Sequence, residues 1–281
     1  MRIIRVFPTG LKKRGGSMLP RDRFVFIGDP QFDDEYMRPK ADEVHISCTF
    51  TWDKPEAERL QSAWSQYYEV VKLGGPAYNS IITPLVPGMY IKPGITFTSR
   101  GCNNLCPWCL VQSREGELFE YYDYPPGSII QDNNILQCSR SHIERVFEML
   151  RYQGRPVSFT GGLDSRLVTE YFVDELRTVT VDQIFLACDT DKAIKPLCEA
   201  TRRIQLPRDK VRCYVLLKYN ENETIDKATS RLMEVWEAGA MPFAQLYQPP
   251  DKYINYPWVW RNLQRNWSRP AIMKTMLIRS S

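Results

Sequence analysis

The chain predicts an α/β fold, a parallel sheet with helices outside it, on three observations. From residue 95 onward, β-branched apolar runs alternate with stretches of helical periodicity. Each run ends in a polar or glycine-containing turn, and a shorter β-α-β pattern precedes the series. Parallel strands need crossovers, so this alternation implies a parallel sheet. In such sheets ligand sites gather at the carboxyl ends of the strands.

The first region, residues 1–93, reads as a small α/β region. Residues 2–7 predict a strand, and the basic, glycine-containing run Lys12 to Gly16 an exposed loop. Phe24 to Ile27 predict a second strand, and Val44 to Thr51 a third. Asp53 then stands as a helix cap, with Pro55 in the first turn of a helix over 54–68. Ala57, Leu60, Ala63, Trp64 and Tyr67 give that helix its apolar face. Val70 to Leu73 resume as a strand before Gly74-Gly75-Pro76. This turn could cradle a phosphate, but it lacks Gly-x-Gly-x-x-Gly spacing and Pro76 removes a donor, so a tight turn is expected. His45, inside an apolar strand, reads as a satisfied core or edge histidine in preference to a metal ligand.

Six strands follow over residues 94–250. Ile95 to Thr98 enter a cysteine loop, and Ser128 to Gln131 enter Asp132-Asn133-Asn134. Val157 to Thr160 enter Gly161-Gly162-Leu163-Asp164, and Gln183 to Cys188 enter Asp189-Thr190-Asp191. Val211 to Leu217 enter Lys218-Tyr219, and Phe243 to Tyr247 enter Gln248. Helices are expected over 141–152, 167–177, 194–204 and 225–237, while the segment after Cys109 has no clear period. All these turns would face one cavity. Asp132, Asn133 and Asn134 are candidates there for substrate or cofactor contact, and Tyr247 and Gln248 after the last strand are further ones.

The loop Thr98 to Cys109 carries the chemistry. Cys102, Cys106 and Cys109 stand at intervals of four and three residues. Three thiolates so spaced can grip three irons of a cubane cluster and leave a fourth iron open. The rival is structural zinc, which prefers four closed ligands in paired Cys-x2-Cys knuckles. Here only three cysteines cluster and no histidine is near in sequence. Cys48, Cys138, Cys188, Cys198 and Cys213 are scattered singly, most of them as core residues, which suits a reducing compartment.

With Cys102-x3-Cys106-x2-Cys109, Trp108 just before the last cysteine, and Gly161-Gly162 after the third strand, the C-terminal two thirds resembles the radical S-adenosylmethionine (SAM) enzymes. The resemblance implies a partial (β/α)6 TIM-like barrel over 94–250. It implies a [4Fe-4S] cluster on the three cysteines, its fourth iron chelated by the amino and carboxylate groups of SAM. Reductive cleavage, fed by a donor such as flavodoxin or ferredoxin, would give methionine and a 5′-deoxyadenosyl radical that abstracts hydrogen from a substrate. Trp108 would lie by the cofactor, and the carbonyls of Gly161 and Gly162 would accept from the methionine ammonium. Many members carry an acid directly after the glycines; here Leu163 intervenes before Asp164. Arg166 would either pair with the SAM carboxylate or be a plain surface arginine. Asp189 and Asp191 would either accept from the ribose hydroxyls or cap helices. The first region is loosely similar to a truncated form of the domain that precedes the barrel in cobalamin-dependent and methylthiotransferase-type members. It has no Asp-x-His-x-x-Gly, and no further cysteine triplet follows, so neither cobalamin nor a second cluster is expected.

Residues 251–281 interleave Trp258, Trp260 and Trp267 with Arg261, Arg265, Arg269, Lys274 and Arg279. Such a C-terminal helical extension could stack bases and meet phosphates, which keeps a nucleic-acid substrate open. It better suits an amphipathic closing helix with solvated arginines, since a packed terminal helix needs the same aromatic residues. The net charge of +4 demands neither nucleic acid nor a membrane. The start, MRIIRVF before basic residues, reverses a secretory signal, and no run nears twenty apolar residues, so a cytoplasmic protein is expected.

Overall fold

In a computed structural model the described residues are 1–10, 18–32, 37–78 and 88–278. The basic loop expected at Lys12 to Gly16 and Arg279 of the tail lie outside them. The chain divides into two units, Met1–Ile95 with Pro250–Tyr253, and Thr96–Pro249 with Ile254–Ser281.

The first unit is built on four parallel strands, β1 (Ile3–Phe7), β2 (Val25–Ile27), β3 (Glu43–Ser47) and β4 (Val71–Gly74), in the order β2-β1-β3-β4. Ile4, Val6, Val44 and Ile46 alternate into its core. Helix α1 (Lys54–Trp64) covers them with Ala57, Leu60 and Trp64, and the Trp64 indole donates to the Gly28 carbonyl at 3.1 Å. The helix stops at Trp64, short of the expected residue 68. Tyr67 and Tyr68 both turn back to donate to the Trp64 carbonyl, and Tyr67 is exposed. Asp53 precedes the helix but makes no capping bond to it. The Gly74-Gly75-Pro76 turn is a close backbone approach. Gly75 has φ +104°, and a Cβ there would lie 2.6 Å from the Cys48 carbonyl oxygen. His45 is satisfied by the Tyr90 hydroxyl on one ring nitrogen and by Glu43 at 2.7 Å on the other.

The second unit holds six parallel strands in chain order, β5 (Ile95–Thr96), β8 (Ile129–Ile130), β9 (Val157–Asp164), β10 (Val181–Ala187), β11 (Val211–Leu217) and β12 (Met241–Leu246). The helices are α2 (Val111–Glu115), α3 (Arg140–Gln153), α4 (Glu170–Arg177), α5 (Ile194–Ile204) and α6 (Ile225–Glu237). A short antiparallel pair, β6 (Ser99–Arg100) and β7 (Phe119–Glu120), flanks the cysteine loop. Periodicity placed α5 and α6 to the residue. Helix α4 begins three residues later than expected, because Ser165–Leu167 form a 3-10 turn and Thr169 caps the helix through the Phe172 N–H at 3.3 Å. Strand β9 runs on through both glycines, since a register shift lets Leu163 and Asp164 still pair with Leu186 and Ala187 of β10.

Strands β8 to β12 pair parallel with neighbours in chain order, and crossovers of the usual right hand put α3 to α6 on one face of the sheet. Val211, Cys213, Val215 and Leu217 of β11 accordingly belong to the helix-side core, while Arg212, Tyr214 and Leu216 lie on the other face. The tail is part of this unit. Helices α7 (Trp258–Ser268) and α8 (Pro270–Ile278) bury Trp260, Trp267 and Met273 in the same core, and Arg261, Arg265, Arg269 and Lys274 are exposed. That is the closing-helix pattern, and it leaves Trp258 as the exposed tryptophan of the three. No described helix is long and apolar enough to cross a membrane.

Candidate cluster and cofactor site

The base of the cysteine loop is fixed from below by Asp132. Its carboxylate is 2% exposed and accepts from the Thr98 N–H at 2.6 Å, from the Thr98 hydroxyl, and from the Ser99 hydroxyl at 3.0 Å. Both oxygens are therefore taken within the chain, and this side chain builds the loop. Asn133 donates to Glu115 and to the Gly101 carbonyl, and the buried Asn134 accepts from the Asp164 N–H at 3.4 Å. The turn after β8 thus braces the loop on one side and β9 on the other. Gly101 is required where the loop begins. Its φ is +74°, and a Cβ would lie 2.0 Å from the Glu117 carbonyl oxygen.

All eight cysteines are free; Cys48, Cys138, Cys188 and Cys213 are buried as core residues. Within the loop Cys102 and Cys106 are half-buried and Cys109 is exposed. Backbone N–H groups already point at two sulfurs, Asn104 toward Cys102 at 3.4 Å and Val111 toward Cys109 at 3.5 Å. Burial pushes the Cys106 thiol up, and the neighbouring Cys109, Cys102 and Asp189 add to the push. Cys109 is raised likewise, first by burial and then by Cys102, Asp189 and Glu115. A cationic centre bound among the sulfurs would relieve this crowding of negative charge. Among the described residues, no three His, Cys, Asp or Glu close around a single ion.

The glycine pair lies next to the loop. A Cβ at Gly161 would fall 1.5 Å from the Asp132 carbonyl oxygen, and Gly162 has φ +86° with the Tyr214 ring 3.3 Å from its Cβ position. Just beyond, Asp164 accepts from Arg166 Nε at 2.9 Å and from Asn104 Nδ2 of the cysteine loop at 3.0 Å. Burial raises the Asp164 carboxyl, but the Arg166 and Asn104 bonds outweigh it and hold it below the usual range. Loop and glycine strand are thereby stitched by Asn104–Asp164–Arg166. An open cavity of about 580 Å³ beside the stitch is lined by Asn103, Asn104, Gln137, Asp164 and Arg166, together with two leucines. Asp189 accepts from the Leu216 N–H at 3.0 Å and from the Trp108 indole, and burial raises its carboxyl. Asp191 is instead exposed and meets Arg231 at 3.3 Å. Tyr247 stands edge-on to Tyr219 at 5.0 Å, and Tyr219 edge-on to Trp108 at 5.4 Å.

Reading the sequence alone missed Tyr219, Asn104 and His142. Tyr219 follows Lys218, a non-glycine residue at φ +64°, and nothing in the local sequence marks that turn. The other two lack a motif.

No family model matches the chain, and no curated protein does. A solved structure does match: the radical S-adenosylmethionine methyltransferase TsrM from Kitasatospora setae, with cobalamin and a [4Fe-4S] cluster bound. The TM-score is 0.53 at 10% identity, over 89% of this chain and 77% of that one. The fold is radical SAM-like. At that identity the likeness speaks for the fold alone, and the site rests on the residues just described.

His142 supports the loop from behind. It is fully buried on α3, with Nε2 3.0 Å from the Thr98 hydroxyl, and burial holds its pKa below the ordinary 6.5. A depressed folded pKa means the unfolded chain takes up the proton first. Stability is therefore expected to fall as pH drops below about 6.5 and on through the lower folded value. Urea midpoints between pH 7.5 and pH 5 should show that slope, on scales set by unperturbed histidine. His142→Gln should flatten it, and an unchanged slope would assign it elsewhere.

Proposed function

We propose that the chain is a radical SAM enzyme, with a [4Fe-4S] cluster on Cys102, Cys106 and Cys109 and SAM against Gly161 and Gly162. The observation that supports it is the stitch of Asn104 to Asp164, which sets three free cysteines beside the close-approach glycines. When bound, a reduced cluster supplies the electron that breaks the C5′–S bond of SAM, giving methionine and a 5′-deoxyadenosyl radical that takes a hydrogen atom from substrate. The sheet is read as a partial (β/α)6 barrel whose lumen is the face opposite α3 to α6.

The chain's own residues bind and orient. Asp132 and Asn133 hold the loop at its base, and the backbone carbonyls at Gly161 and Gly162 accept from the methionine ammonium. Arg166 exchanges Asp164 for the methionine carboxylate, a bidentate partner of the same kind. Trp108, fixed by Asp189, and Tyr219 offer ring surface to the adenine. Asp191, exposed and turned to Arg231, has no part in this reading. A small flavodoxin or ferredoxin supplies the electron.

The test is anaerobic reconstitution with iron and sulfide, reduction, and chromatography of the products of SAM. About four irons per chain and 5′-deoxyadenosine are expected. A reconstituted, reduced protein that binds SAM and releases no 5′-deoxyadenosine, even with cell extract present, would refute the catalytic claim. A second reading, that the first unit holds cobalamin, is favoured by its strand order. The order β2-β1-β3-β4 reverses direction between β1 and β3, where doubly wound sheets bind cofactors. Adding hydroxocobalamin to the same reconstitution decides it by whether its visible absorption stays with the protein through gel filtration.

A further inference from the structure

The sheet face opposite α3 to α6 in the second unit carries a charge that the site above does not use. Arg212, near the start of β11, is 5% exposed. Its neighbours there are aromatic. The guanidinium carbon lies 5.2 Å from the Phe243 ring centre and 5.8 Å from that of Phe185, and Tyr214 is the next residue of β11 on the same side. The side chain donates from Nη2 to the Ser268 carbonyl at 3.1 Å, while Nε is buried with no hydrogen-bond partner among the described residues. Burial pulls its pKa below the ordinary value.

A guanidinium has five N–H donors and a full charge, and burying it without a counter-ion costs several kcal/mol. The Ser268 carbonyl ends α7, so the partial negative charge of a helix C-terminus meets one edge of the group. It meets neither the remaining charge nor the Nε edge. Phe185, Tyr214 and Phe243 are each partly exposed and Arg212 keeps 5% of its own surface, so a ligand reaches this face, although Nε itself is covered.

We propose that Arg212 is an oxyanion receptor on the sheet face opposite α3 to α6. It takes the carboxylate or phosphate of a small molecule whose apolar body packs against Phe185, Tyr214 and Phe243. The guanidinium's remaining N–H donors supply the contact that such groups prefer. Tyr214 joins this place to the glycine strand: its hydroxyl donates to the Thr160 carbonyl at 2.9 Å, and its ring meets Gly162. Two residues of strand, about 7 Å, separate Arg212 from Tyr214 along β11. On the function proposed above the anion is the substrate's own handle; only that last statement rests on the radical SAM reading.

The test uses the full chain with benzoate, phenyl phosphate and benzyl alcohol as probes in thermal-shift titrations, plus Arg212→Met and Arg212→Lys. Benzoate or phenyl phosphate is expected to raise the wild-type Tm saturably, and which one does so tells carboxylate from phosphate. Benzyl alcohol, with the ring and no charge, should leave it unmoved. Arg212→Met removes an uncompensated charge, so its ligand-free Tm should equal or exceed wild type, and the anion shift should vanish. Arg212→Lys should weaken the anion at least tenfold and serves as the reading if the methionine variant does not fold. The proposal fails if neither anion shifts the wild type, if the shift survives Arg212→Met, or if Arg212→Lys binds as well as wild type. A ligand-free Tm that drops in Arg212→Met, with no anion effect on wild type, would make the residue a brace for α7. Iron content measured on the same preparations keeps a failed cluster apart from a failed anion site.

Discussion

Replacing Cys106 with alanine should turn a brown reconstituted protein nearly colourless, with iron falling from about four per chain to well under one. Cys106 is the middle cysteine of the loop, and it is half-buried and raised by both of its neighbours. Two remaining thiolates cannot hold a cubane that already leaves one iron without a protein ligand. The fold should survive, because the loop's base is held by Asp132 and Asn133 and not by the sulfurs. The measurements are iron content and the visible spectrum after anaerobic gel filtration, beside far-ultraviolet circular dichroism. A variant that keeps its iron would refute the assignment of this cysteine. One zinc per chain in the wild type, unchanged by added iron and sulfide, would restore the structural-zinc alternative.

The second large effect is on stability. Gly161→Ala should cost more than about 3 kcal/mol, or prevent folding, because its methyl carbon would fall 1.5 Å from a backbone oxygen. The obstacle is the Asp132 carbonyl, which belongs to the turn bracing the cysteine loop, so the clash cannot be relieved by rotating a side chain. Gly154 is the control. It caps α3 at φ +59° with nothing within 4 Å of its Cβ position, and alanine there should cost only about 1 kcal/mol. Urea unfolding of the two variants checks the pair; equal losses would mean that the contact at Gly161 relaxes freely.

Much of this architecture was legible from periodicity, since burial of one face leaves a mark every third or fourth residue. Leu197, Ala200 and Ile204 mark α5 so, and its limits follow. The strand–turn rhythm placed the cysteine loop and the glycine pair at neighbouring strand ends. What periodicity could not tell was the direction taken by the acids in the same turns. Asp132 points inward to Thr98 and Ser99, Asp189 inward to Leu216 and Trp108, and Asp191 outward to Arg231. Each is an aspartate at a strand end, and the choice is made by donors far away in the chain. The first unit was legible as β-α-β but not as four strands in the order β2-β1-β3-β4, because order depends on which edges pair. Arg212 was read as part of an apolar strand; one charge in such a run has no local signature of burial.

The chain-order pairing of β5, β8, β9, β10, β11 and β12 also bears on how the protein is made. Each strand finds its partner among residues already synthesised, so contacts are short in sequence and assembly can follow the emerging chain. The cysteine loop and the glycine pair belong to the first strands of that series, whereas Trp260 and Trp267 enter the core last. A nascent chain would thus present all three thiols while its final layer is still missing, and on the cluster proposed above iron would have an interval to enter before the tail seals the unit.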